Sequence, residues 1–527
     1  MFIAKKQIFK CLFLFIIGTV ILMPIQAQKK KKNQPNILFI LSDDHTSQSW
    51  GIYGGILKDY VQNKNIKRLA AEGAVLENAF CTNSICTPSR ASILTGQYSH
   101  VNKSYTLREP LPVGHPNIAK ELSKNGYQTA VIGKWHLVKQ PEGFDYFNVL
   151  PGQGRYWDPV LKSKENWKDG YGKGAGKVYK GFSTDVIADL TIEHLSKRDK
   201  SKPFMMMCNF KATHEPFDYP ERFKDLYKDE YIPEPSSLYD FGKETTGRTF
   251  KGQKVENLAV RWDKATKDPD NFWTSYPGLP YPLGGLDSIT KRKKIYQKLV
   301  KDFMRCGAAI DDNIGKLLDY LENDGIADNT IVIYTADQGY FLGEHGFFDK
   351  RLIYEESLQM PFVIRYPKEI RGGTRIDDII LNIDFAALFA DYAGIEKPSF
   401  IQGESFRNNL KGNTPSNWRK QMYYRYWLHH PERPGHFGIR NERYKLAFFY
   451  GQALGMNGAS KVTSEPAWEF YDLNEDPKEV YNAINDKKYV SIISKMKKEL
   501  LAERKKYGDL DKEYPVMKSV IEKNWND

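Results

Sequence analysis

The chain has 527 residues and a net charge of +12; 41% of its residues are hydrophobic and 13% aromatic. That is enough apolar material for one large packed domain and a smaller one, and it excludes global disorder. The positive charge favours acidic partners, but no long Lys/Arg block follows residue 34 and no arm, finger or stacking module is visible, so nucleic acid is not an expected partner.

Residues 1–27 read as a secretory signal peptide. "MFIAKKQIFK" is basic, "CLFLFIIGTVILM" is apolar but short for a bilayer span, and "PIQA" ends on a small residue at Ala27. The expectation is an exported protein, periplasmic, cell-surface or secreted, with no stable membrane insertion after cleavage. Cys11 leaves with this segment. The remaining Cys81, Cys86, Cys208 and Cys306 are too few for a disulfide scaffold. Cys208, in "PFMMMCNF", and Cys306, in a helical pattern, read as buried thiols.

In chain order, "PNILFILSDD" is an apolar run ending in two carboxylates and reads as a buried strand. "IAKELSKNGYQTAVIGKWH" reads as a helix closed near Gly126, then a strand, then polar residues. "STDVIADLTIEHLSK" is an amphipathic helix, and "KPFMMMCNFKATHEPF" a strand running into a polar loop. Residues 215–290 show little periodicity and much Pro, Gly, Tyr and Trp, and read as a long insertion forming part of a site wall. A long helical pattern covers 291–323. "NTIVIYTADQG" and "MPFVIRYP" read as strands and "DFAALFADYAGI" as a helix. Alternating strands and helices predict a mainly parallel sheet covered on both faces, with ligands at the strands' C-terminal ends. After about residue 405, "RKQMYYRYWLHH", "HFGIRNERYKLAFFY" and "AWEFYDLNEDPKE" read as short antiparallel strands, followed by a helix over 487–506. The expected organisation is a catalytic α/β domain at 34–405 and a small α+β subdomain at 406–527.

Separate strand ends supply oxygen donors: Asp43 and Asp44, then Asp337 and Gln338. Carboxylates plus an amide carbonyl suit a hard divalent cation, Ca²⁺ or Mg²⁺, and clusters with zinc spacing are absent from the sequence. Lys134 and His136 in "GKWH", His214 in "THEPF", Lys350 and Arg351 in "FFDKR", and Arg90 add fixed positive charge and two imidazoles. Together they describe a pocket that would hold a tetrahedral anion and protonate a leaving oxygen. For Cys86 the alternatives are a core thiol, a disulfide with Cys81 closing a trivial loop, a metal ligand, or a residue converted to another group. A thiolate nucleophile would want a His base, and none is near in sequence.

Cys86-Thr-Pro-Ser-Arg90, followed by "ASILTG", resembles the signature of type I sulfatases, Cys/Ser-X-Pro-X-Arg with a trailing Leu-Thr-Gly. The resemblance extends to "LSDDH", "GKWH", "THEPF", "TADQGYFLGEHGFFDKR" and "YDLNEDPKE". It implies an alkaline-phosphatase-like fold: a large mixed, mainly parallel sheet sandwiched by helices, with a small C-terminal antiparallel sheet. It implies that a maturation enzyme oxidises Cys86 to formylglycine, whose hydrate is the nucleophile. Asp43, Asp44, Asp337, Gln338 and the modified residue 86 would then bind calcium. Arg90 would stabilise the alkoxide and Asp337 take the attacking hydroxyl's proton. Lys134 and Lys350 would hold sulfate oxygens, His214 protonate the leaving alcohol, and His136 deprotonate the second hydroxyl. Many relatives carry Asn where this chain has Gln338, whose amide oxygen reaches one methylene further.

"DQGYFLGEHGFFDKR" resembles bacterial carbohydrate sulfatases of the N-acetylglucosamine-6-sulfatase type more than aryl-ester enzymes. The expected substrate is a hexose or N-acetylhexosamine O-sulfate of mucin or glycosaminoglycan-type glycans, 6-O favoured over 4-O. Aromatic stretches at 152–159 and 424–440 suit a pyranose, with Trp157, His345 and His436 as candidate substrate contacts and loop packing as their alternative. The rival functions are a formylglycine-dependent phosphodiester or phosphonate monoester hydrolase, and an inactive glycan-binding homologue.

Overall fold

The computed structural model describes residues 34–525 apart from 171, 173, 240–251, 268–278 and 280, so the proposed signal peptide lies outside the described residues. The first strand, β1 (Asn36–Asp43), is buried along its whole length. Successive side chains of a strand point to opposite faces, and here both faces find a core. Ile37, Phe39 and Leu41 enter one with helix α1 (Cys86–Thr95) and helices Ile118–Lys124 and Asp384–Tyr392. Leu38 and Ile40 enter the other with α2 (Ser183–Ser196) and α4 (Ser288–Asn323). A strand buried on both faces needs a continuous apolar run, which is why "NILFIL" shows no alternation.

β1 lies near the middle of a ten-stranded sheet, between β4 (Thr330–Ala336) and β3 (Phe204–Thr213), with β2 (Gln128–Lys134) on the far side of β3. These four strands are mutually parallel. Phe362–Arg365 runs antiparallel to β4, and Val160–Ser163 antiparallel to Tyr146–Leu150, making the sheet mixed with a parallel centre. Register carries the functional consequence. Leu41 sits opposite Thr335 on one side and Asn209 on the other, and Gly133 pairs with Asn209. All four strands therefore end at one edge, and the polar residues that follow them converge. Gly133 is required there: its φ is +100°, and a Cβ would lie 2.0 Å from the Asn209 carbonyl oxygen.

α4 begins at Ser288, three residues before the pattern's expected start, because Asp287 caps it by accepting from the Ile289 and Thr290 amides (3.0 and 2.9 Å). Residues 215–290 hold more order than their composition suggests: α3 (Val255–Lys267) lies within them, packed on α4 through Leu258 and Trp262. The four antiparallel strands expected near the C-terminus are present, β5 (Gln421–Tyr426), β6 (His436–Asn441), β7 (Tyr444–Phe449) and β8 (Ala467–Asp472), in sequential order. Their inward residues Phe437, Ile439, Leu446 and Phe448 belong to the same continuous core as Phe39. The final long helix runs Val490–Tyr507, and a further helix, Pro515–Asn524, follows it.

A buried ion pair ties the chain after that helix to β5. Arg425 donates to Asp509, which also accepts from the Tyr423 hydroxyl, and the guanidinium stacks 3.5 Å from the Trp427 ring centre. Burial would raise the Asp509 carboxyl, but Arg425 and Arg504 outweigh it and hold the group well below the usual range. Asp509→Asn leaves Arg425 buried without its counter-charge and is expected to cost about 3–5 kcal/mol. A thermal melt reads this directly; an Asp509→Asn melting temperature equal to wild type would show the pair to be dispensable.

Candidate active site

The site is organised by the first turn of α1. Ile85 is extended (φ −158°), and the first helical hydrogen bond runs from the Ser89 amide to the Ile85 carbonyl at 3.0 Å. Pro88 is tolerated because first-turn amides have no partner within the helix. Cys86 and Arg90 are one turn apart and so share a face. Gly96 ends the helix in the left-handed region (φ 67°), where a Cβ would lie 2.8 Å from Ile401 Cγ2. Every residue from Cys86 to Thr95 is buried, which explains why the segment lacks an amphipathic pattern.

From that face Arg90 ties three strand ends together. Its Nε donates to Asp337 Oδ2 (2.8 Å) and its Nη1 to the Lys134 carbonyl (2.8 Å), while Nη2 lies 3.5 Å from Asp43 Oδ1. Asp44 turns the chain out of β1 with φ +65°, and its amide donates to Asp337 Oδ1 at 3.1 Å. Lys350 Nζ donates to Asp44 Oδ1 at 2.6 Å, and Gln338 Nε2 donates to the same oxygen. Lys134 Nζ donates to Asp43 Oδ2 and to Gln153 Oε1. His214 gives its Nδ1–H to the Glu215 carbonyl (2.9 Å) and holds Nε2 3.7 Å from Asp44 Oδ2. The His136 carbonyl accepts from Thr87 Oγ1 (2.8 Å), and its Nδ1 has no partner among the described residues.

Burial and charge pull these groups apart. For Asp43, burial would raise the carboxyl, but Lys134, His214, Arg90 and Lys350 hold it well below the carboxylate range. Asp44 is pushed up to about 6, by burial against the opposing pull of Lys350. Asp337 rises to about 8, by burial and the neighbouring Asp43 and Asp44, against Arg90. Burial, with Asp43 next, drives the Cys86 thiol up, so the unmodified side chain is a neutral thiol and a poor nucleophile. His136 and His214 both fall well below 6.5, by burial and then by Lys134, so each gives up a proton readily.

The donor set fits a divalent cation. Asp43, Asp44, Cys86 and His214 each bring a ligand-type atom within 4.8 Å of the others. Asp43 Oδ1 and Gln338 Oε1 are buried oxygens without a hydrogen-bond partner in the protein, and carboxylate and amide oxygens suit a hard ion. Asp337 already accepts from Arg90 and the Asp44 amide, one donor on each oxygen, leaving each a further lone pair.

A cavity of about 110 Å³ opens beside this cluster, with Asp44, Cys86, His214 and Lys350 in its wall. Gln153, Glu215, Arg261, Tyr340, Asp349 and Arg351 complete it. Glu215, Tyr340 and Asp349 stand one or two residues from positions already singled out, so the motifs pointed near them. Gln153 lies in the aromatic stretch 152–159 and Arg261 on α3 within the 215–290 insertion, segments that the sequence pointed to without marking either residue.

The three expected substrate contacts are not among the residues that line this cavity. Trp157 packs edge-on against Phe182 (5.4 Å between ring centres). His345 is buried and stacked on Tyr354 at 5.0 Å. His436 is fully buried, stacked on Phe449 at 4.6 Å with Nδ1 held by the Pro434 carbonyl, and burial lowers it to about 4. Aromatic packing places these rings where loop position suggested sugar stacking. All four described cysteines are free and buried, so Cys81 and Cys86 are not bridged.

The pattern of the Sulfatase family matches residues 35–395, and that of the N-sulphoglucosamine sulphohydrolase C-terminal region matches 343–506. The chain is 38% identical to the N-acetylglucosamine-6-O-sulfatase of Bacteroides thetaiotaomicron, over 92% of this chain and 88% of that one. It is 26% identical to the arylsulfatase of Clostridium perfringens, over 89% and 94% respectively. Among solved structures, BT4656 in complex with its substrate D-glucosamine-2-N,6-O-disulfate superposes with a TM-score of 0.81 at 35% identity, covering 91% of this chain and 99% of that one.

An ion that binds only the folded protein stabilises it by about 2.7 kcal/mol at a hundred times its Kd. Adding calcium is therefore expected to raise the melting temperature, and chelation to reverse the rise. Gln338→Leu and Asp43→Asn should each flatten that response. An unchanged calcium-dependent shift in both variants would move the ion elsewhere.

Proposed function

The chain belongs to the sulfatase family and is a sulfuric ester hydrolase, and on that premise we propose that it removes the 6-O-sulfate of a glucosamine-type sugar, N-acetylglucosamine foremost. The observation that carries this reading is the 38% identity, over about nine-tenths of both chains, to a relative named for that reaction. The disulfated glucosamine bound by the relative of known structure supports the same sugar class. The proposal includes conversion of Cys86 to formylglycine by a maturation enzyme. It also includes calcium, rather than magnesium, held by Asp43, Asp44, Asp337 and Gln338, and export to act on mucin or glycosaminoglycan-type glycans. Among the described residues no helix is long and apolar enough to cross a membrane.

The hydrated aldehyde supplies two hydroxyls on one carbon, one to attack sulfur and one whose deprotonation expels the transferred sulfate; the cation supplies charge to the oxygens around it. The protein's own groups do the rest. Lys134 and Lys350 are buried cations whose Nζ atoms face Asp43 and Asp44 and are placed to hold sulfate oxygens. Arg90 fixes Asp337 through Oδ2; burial and the neighbouring aspartates push this group up, and a bound cation beside it would favour the carboxylate form, which would take the proton of the attacking hydroxyl. His214 is pinned at Nδ1 by the Glu215 carbonyl; burial and then Lys134 favour its neutral form, so it would first take up a proton at Nε2, which the negative charge of the bound sulfate ester would favour, and then pass it to the leaving sugar oxygen. His136, neutral with a free Nδ1, is the base for the second hydroxyl.

The test is paired kinetics on sulfate and phosphate esters of one alcohol and on a panel of regiodefined sulfated monosaccharides. The 6-O-sulfated N-acetylglucosamine should be the fastest sugar and sulfate should leave faster than phosphate. Cys86→Ala should lower turnover about a thousandfold or more. Mass spectrometry of the peptide containing residue 86 should show the aldehyde. Faster phosphate release, or full activity without the modification, would overturn the reading.

A further inference from the structure

The cavity wall holds two buried polar atoms that the sulfate-transfer chemistry does not use. The Tyr340 hydroxyl and Glu215 Oε2 both lack a hydrogen-bond partner among the described residues, and both residues line the cavity. Tyr340 is only 1% exposed. Its ring is wedged between Phe217 and Phe303, with ring centres at 5.9 and 5.7 Å, so the hydroxyl is fixed in place. Glu215 is equally constrained. Its Oε1 accepts from Arg261 Nη1 at 2.7 Å, and that guanidinium rests 4.8 Å from the Phe348 ring centre. One carboxylate oxygen is engaged and the other is free.

Buried polar groups are almost always paired, and a rigid one left open in a cavity wall needs a reason. A ligand that completes it is the simplest, because a site built to hydrogen-bond a substrate group rejects analogues lacking that group. The two atoms differ in character: a neutral hydroxyl donates, and a carboxylate oxygen accepts. We propose that Tyr340 and Glu215 form the pair that recognises the sugar itself beside its sulfate, Tyr340 donating to a sugar oxygen and Glu215 Oε2 accepting from a hydroxyl or acetamido N–H. Arg261 is then a positioning residue that keeps the carboxylate turned to the cavity. The assignment rests on the sulfated-sugar reading above and deepens it. It makes sugar selectivity a property of the residue next to His214 and of the second residue after Gln338.

The experiment compares Tyr340→Phe and Glu215→Gln with wild type on two substrates, 6-O-sulfated N-acetylglucosamine and 4-nitrophenyl sulfate, which offers a sulfate but no sugar hydroxyls. Tyr340→Phe keeps the ring packing and Glu215→Gln keeps an oxygen for Arg261, and melting temperatures check the fold. The ratio of sugar to aryl kcat/KM should fall about tenfold to a hundredfold in each variant, mostly through KM of the sugar. Equal losses on both substrates, or no loss on either, would overturn the pair. Wild-type turnover separates the two levels of inference. Failure on every sulfated sugar removes the sugar assignment and this pair together, whereas sugar turnover with an unchanged ratio in the variants removes the pair alone.

Discussion

Burying a carboxylate is among the most costly acts in a folded chain unless it is paired, and this fold buries three at one sheet edge. Asp43, Asp44 and Asp337 are each no more than 1% exposed. Three cations, Arg90, Lys134 and Lys350, stand against them, all likewise buried. Even so, burial and mutual repulsion push Asp44 and Asp337 up, to about 6 and about 8. A cation seated among them would relieve that repulsion, and the unpaired oxygens on Asp43 and Gln338 suit one.

Such a cluster can be maintained only if its members cannot drift apart. The parallel register brings β1, β2, β3 and β4 to a common edge, and Arg90 then bonds or approaches the ends of three of them at once. The fully buried α1 holds Arg90 and Cys86 on one face, and Gly96 lets that helix stop against Ile401. The clustered groups thus stand on α1 or just beyond the ends of the central strands. Other groups in the cavity wall, such as Arg261 and Gln153, come from the 215–290 insertion and from a loop.

The strands and most helices were legible because a residue buried on both faces leaves a continuous apolar run and a helix buried on one side leaves a 3.6-residue rhythm. α3 was not, because it sits among long stretches of Pro, Gly and aromatic residues that mask its period. The histidines at 345 and 436 show the converse: residue type suggested sugar contact, while aromatic stacking accompanies their burial; Trp157 is half-buried, edge-on to Phe182.

By itself the sequence determined the chemistry: a cysteine and an arginine one helical turn apart, carboxylates at strand ends, and an amide, lysines and histidines following other strands. These are local facts, since strand termination and helical spacing depend on near neighbours along the chain. Tertiary structure alone decided which groups share a wall. Asp43 and Asp337 meet because β1 and β4 are paired in register across nearly three hundred residues of chain. Arg261 reaches Glu215 because α3 packs where it does, and the Tyr340 hydroxyl is left without a partner among the described residues where its ring packs on Phe217 and Phe303. Hydrogen-bond accounting is a property of three-dimensional neighbourhoods, and no spacing along the chain encodes which polar atom will be left over.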